Sequence, residues 1–75
     1  MYLDPIIFIE EYCLINREHI KLNSLQKKFL KRMSYIKGWN YALDKAIDII
    51  KENLGVDSST TKVIEKLKEQ KVYAN

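Results

Sequence analysis

Between Phe29 and Leu54 the chain holds a single apolar register. Phe29, Met33, Ile36, Leu43, Ile47, Ile50 and Leu54 recur alternately four and three positions apart, and Asn40 is the one polar residue in the series. That spacing puts all of them on one stripe of an α-helix, the pattern of a bundle or coiled-coil seam. No alternating strand pattern, repeat or low-complexity segment competes with it. Gly38 interrupts the register and costs a helix interior about 1 kcal/mol relative to Ala. Either one helix runs from 24 to 54 or two meet at Gly38. Asn40 correspondingly fixes register and oligomer state or sits at a kink beside that glycine.

The remaining boundaries follow from capping chemistry. Asp4-Pro5 opens a first helix, because Asp accepts hydrogen bonds from free backbone amides and Pro suits the first helical position. Ile6, Ile9 and Cys13, with Phe8, Tyr12, Ile15, His19 and Leu22, form its two apolar stripes. Its end is expected between Asn16 and Leu22. Asn23-Ser24 with Gln26 has the spacing of a capping box and starts the central helix. Leu54-Gly55 ends it, with Gly able to take a left-handed conformation. Asp57 and Ser58 then cap a last helix with apolar positions Val63, Ile64, Leu67 and Val72. The expected fold is all-α: a compact three- or four-helix bundle with one long central helix, in a single domain spanning 1–75.

A chain of 75 residues reaches only marginal stability from one core, and small domains of this kind add disulfides, metal, unusually good packing or self-association. Cys13 is the only cysteine and His19 the only histidine, so no intrachain disulfide can form and no structural zinc set is present. Cys13 lies among apolar residues and is expected to be buried, and His19 to sit at the edge of the first helix's apolar face. The lone cysteine fits a reducing compartment, and neither a signal peptide nor a membrane span is apparent, so a cytoplasmic protein is expected. Gly38 and Gly55 are the only glycines, which leaves no phosphate-binding loop. Ser24, Ser34, Ser58 and Ser59 have only His19 as a candidate base. The chain is therefore read as no enzyme, with no cofactor, metal or small-molecule substrate.

Charge points toward binding instead. Net charge is +3, yet residues 21–37 carry Lys21, Lys27, Lys28, Lys31, Arg32 and Lys37 with no acidic residue. Lys27 with Lys31 and Lys28 with Arg32 are i,i+4 neighbours, so cations share a helix surface without internal pairing. An acidic partner explains such a surface, as does a plain solvated face. Asp44, Asp48 and Glu52 form an acidic stripe farther on, able to accept the basic stripe of a second copy. Tyr35 and Trp39 lie beside the seam, either as core residues or as aromatic anchors of a binding surface. The candidate partner-binding residues are Lys27, Lys28, Lys31, Arg32, Tyr35 and Trp39, facing a protein with an acidic surface or a homodimer mate.

Two stretches resemble known families. Ile50 to Leu67, with its Leu54-Gly55-Val56 turn, is similar to the helix-turn-helix of small transcription regulators. That resemblance implies packing by Ile50, Leu54, Val56 and Ile64, and a DNA-facing set of Ser58, Ser59, Thr60, Lys62 and Lys66. Lys37 to Leu54, KGWNYALDKAIDIIKENL, is similar to a helical segment of small accessory proteins from phages and mobile elements of AT-rich bacteria. It implies a compact inhibitor or modulator that occupies a host protein's surface, anti-CRISPR and other anti-defence proteins included.

Overall fold

The computed structural model describes residues 4–71, so Val72, expected in the last helix, lies outside the described residues. Four helices and one short hairpin follow in the order α1 (Pro5–Tyr12), β1 (Leu14–Ile15), β2 (Glu18–His19), α2 (Ser24–Lys37), α3 (Trp39–Leu54) and α4 (Ser58–Glu69). The fold is an all-α bundle. Among the described residues no helix is long and apolar enough to cross a membrane.

α1 starts as its residues dictate, with the Asp4 carboxylate accepting from the Ile6 amide at 2.8 Å and Pro5 in the first turn. It stops sooner than the apolar stripes imply. Asn16 and Arg17 both take positive φ, 54° and 68°, which reverses the chain in the two-residue turn that matches the twist of paired strands. Leu14 then pairs with His19 and Ile15 with Glu18. The expected helix from Asp4 toward Leu22 is therefore corrected to a two-turn helix and a hairpin. Glu10 ties this unit to α2: its carboxylate accepts from the Leu22 amide and pairs with Lys27 Nζ, each at 3.4 Å.

The long central helix is also corrected. Gly38 has φ 97° and ψ 177°, a region essentially open only to glycine, and it ends α2 and begins α3 at one residue. Its N–H donates to the Ser34 carbonyl at 3.0 Å, while its own carbonyl accepts from Ala42 at 3.1 Å. The kink splits the seam into unlike halves. On α3, Leu43, Ile47 and Ile50 are buried and Leu54 at its end is exposed, whereas on α2 Phe29 and Ile36 are exposed and Met33 is half-buried.

α3 is the hub of the core, burying Ala42, Leu43, Ala46, Ile47 and Ile50. Phe8, Ile9 and Cys13 reach it from α1 and the residue after it, Ile20 and Leu22 from beyond the hairpin, Leu30 from α2, and Val63, Ile64 and Leu67 from α4. α4 runs back along α3. Trp39 Nε1, at the start of α3, donates to the Gln70 carbonyl just past α4 at 2.7 Å, and Lys71 pairs with Asp44. The helices extend about 22 and 17 Å from their shared turn, so a right-angled pair would part their far ends by more than about 20 Å. One indole does not span that gap, and the arrangement is an antiparallel helical hairpin.

Candidate binding surface

α2 is built by local interactions. Asn23 Oδ1 accepts from the Gln26 amide at 2.8 Å, and Gln26 Oε1 accepts from the Asn23 amide at 3.0 Å, completing the reciprocal cap. Leu, Gln, Lys, Arg and Met, all strong helix formers, fill most of its interior. Leu30 is its only fully buried residue, although α2 packs along α3 more extensively than any other two elements pack on each other.

On the side away from that packing, α2 turns apolar side chains outward. Leu25 is 77% exposed, Ile36 54% and Phe29 41%. At intervals of four and seven residues they lie on one stripe away from Leu30. Lys28 and Arg32, four apart and both exposed, run along one edge of that stripe, with Tyr35 continuing the row at 92% exposure and Lys31 beyond it. The other edge curves toward the core through half-buried Gln26 and Met33. Scattered apolar residues on a surface need no explanation, but several on one stripe bordered by charge make this face the candidate binding surface.

Of the six expected partner-binding residues, Lys28, Lys31, Arg32 and Tyr35 lie on this outward surface. Lys27 is turned to Glu10. Trp39 is half-buried, packs against the core, and donates its indole N–H to the Gln70 carbonyl. Leu25, Phe29 and Ile36 lie on the same surface and are not among those six. Phe29 and Ile36 belong to the seam by spacing, and with the chain kinked at Gly38 their half of it faces solvent.

The helix-turn-helix residues are arranged differently from what that resemblance implies. Thr60, expected to face DNA, is fully buried beside Val63, Ile64 and Leu67, because the Asp57 cap on its amide at 2.8 Å sets the helix phase with Thr60 inward. Its hydroxyl has no hydrogen-bond partner among the described residues. Ser59 is half-buried and donates to Asn16 Oδ1 at 3.4 Å. Ser58, Lys62 and Lys66 are exposed, but Glu65 and Glu69 share their face. Leu54 and Val56, expected to pack, are exposed. Gly55 has φ 75° and ψ −169°, which is not the left-handed helical cap, and the antiparallel pairing of α3 and α4 departs from the roughly 90–120° crossing of a DNA-reading unit.

A groove of about 340 Å³ lies between the hairpin and the end of α3, floored by Ile15, Ile20, Ile50 and Leu54, with Glu18 and exposed His19 at its rim. No base, nucleophile and orienting group converge there. Cys13 is buried, and its desolvation pushes the thiol up to about 11 despite the opposing charge of Lys66. Such a thiol is a poor nucleophile near neutral pH. Among the described residues no three His, Cys, Asp or Glu side chains are grouped to hold a metal ion. Compared with protein-family models, curated proteins and solved structures, the chain matches none.

Proposed function

We propose that this protein is a small non-enzymatic binding module, acting in the cytoplasm, that docks on another protein through the outward face of α2. One observation carries the reading: α2 packs along α3 with Leu30 as its only fully buried residue, and on its other side shows Leu25, Phe29, Tyr35 and Ile36 to solvent. A helix with that balance has its apolar stripe available for a partner. The likeness of residues 37–54 to accessory proteins of phages and mobile elements directs the proposal toward inhibition or modulation of a host protein, the anti-CRISPR and anti-defence class among the candidates. The DNA-regulator alternative draws on Ser58, Lys62 and Lys66, and is weakened by the inward Thr60 and by Glu65 and Glu69 on the same face.

The test compares the intact chain with its Phe29→Gln/Ile36→Gln variant as bait in host extract, with circular dichroism of both. The proposal expects a protein retained by the first and lost from the second at equal helicity. Capture unaffected by the double change would contradict it, as would salt-sensitive duplex DNA binding lost on changing Lys62 and Lys66 to Gln.

A further inference from the structure

Resting on the reading of α2 as the docking face, we propose that its partner is an apolar helical surface edged by carboxylates on a different protein, and not a second copy of this chain. The stripe from Leu25 to Ile36 covers about 16 Å, three turns of helix, the length over which helix anchors engage a facing helix or groove. Its charge is one-sided. Lys28 and Arg32 flank it on the outer edge, and the α1 carboxylate that reaches α2, Glu10, is paired with Lys27. Helix pairs select partners by opposite charges beside the apolar seam, which here calls for carboxylates along one edge.

A second copy does not supply them. Antiparallel two-fold pairing of α2 sets the Lys28 and Arg32 edge against itself. Parallel pairing sets it against Gln26, Met33 and Lys37, and residues 21–37 contain no carboxylate. The acidic stripe of α3 is no better. Asp44 is held by Lys71, and Asp48 and Glu52 share their face with Tyr41, whose ring lies 5.2 Å from Lys45 Nζ, and with no aliphatic stripe. Such a contact would also be heterologous and would not close into a dimer. A phosphate backbone would meet the cations and leave Leu25, Phe29 and Ile36 uncovered.

The experiment measures binding of the full chain to two synthetic amphipathic helical peptides by fluorescence anisotropy, with the chain's mass in solution recorded alongside. Both peptides carry one leucine stripe, edged by Glu in the first and by Lys in the second. The expected result is a monomer that prefers the Glu peptide by about tenfold or more, a reversed preference in Lys28→Glu/Arg32→Glu, and loss of both in Phe29→Gln. Equal binding of the two peptides would overturn the charge assignment while leaving α2 as a docking face. Binding that ignores Phe29→Gln, or no binding of either peptide, would overturn both. A dimer abolished by Phe29→Gln, or Phe29-dependent binding to phosphatidylglycerol vesicles, would assign the face to another occupant.

Discussion

α2 and α3 carry the two halves of one apolar register and use them in opposite ways. Of the register, α3 buries Leu43, Ile47 and Ile50 and exposes only Leu54 at its end, while α2 leaves Phe29 and Ile36 in solvent and buries none. A stripe at helical spacing says which residues share a face and not what lies opposite. Gly38 decides that here, because its positive φ re-aims the chain between the two helices. The helices are accordingly stabilised in different proportions: α3 packs against every other helix, while α2 packs mainly along α3 and adds its reciprocal cap and the propensity of its residues.

Substitutions that treat the halves as equivalent are the sharpest way to break this contrast. Ile47→Asp places an unpaired charge in the core and is expected to unfold a domain whose whole margin is about 3–5 kcal/mol, whereas Phe29→Asp should leave a folded chain; circular dichroism separates the two. Leu43→Ala should cost about 2–5 kcal/mol and Leu25→Ala no more than about 0.5 kcal/mol, read from urea unfolding. Gly38→Ala forces a side chain into a glycine-only conformation and should cost about 1–3 kcal/mol, although a Cβ there meets nothing within 4 Å. Stability unchanged by that substitution would mean that the kink is not held by the backbone. Thr60→Val removes a buried hydroxyl without a partner and should raise stability by about 1 kcal/mol; a loss would show that the hydroxyl is satisfied. The joint change of Lys28, Lys31 and Arg32 to Gln should shift stability least, by less than about 0.5 kcal/mol, while weakening partner binding by about tenfold or more.

A pH dependence follows from Cys13. Its thiol is raised from 9.0 to about 11 in the folded chain, so the unfolded state loses its proton first as pH rises. The stabilisation from keeping the thiol neutral is complete below about pH 9 and declines between there and about pH 11. Cys13→Ala removes this contribution, and the difference between the two chains' alkaline unfolding curves measures it.

The helix starts were legible because caps are local: Asp4, Asn23 and Asp57 each reach an amide two or three residues ahead. The all-α class followed from periodicity. The hairpin did not, since Ile15, His19 and Leu22 continue a helical spacing that Asn16 and Arg17 cut with positive φ. Part of the candidate site was readable from charge alone, in Lys28, Lys31 and Arg32, with Tyr35 beside them. Leu25, Phe29 and Ile36 were not, because their exposure depends on how α2 sits on α3. Thr60 shows the same limit in reverse, a polar letter at the start of a helix that tertiary packing turns inward.

The central claim is that the outward stripe of α2 is surplus to the fold. Thermal unfolding of Leu25→Gln/Phe29→Gln/Ile36→Gln beside the unaltered chain tests it most directly, Gln being a good helix former that removes the apolar stripe. The account predicts a midpoint within about 8 °C of the parent, equivalent to about 1 kcal/mol for a domain of this size. Loss of the cooperative transition would contradict it, and would return the stripe to the core.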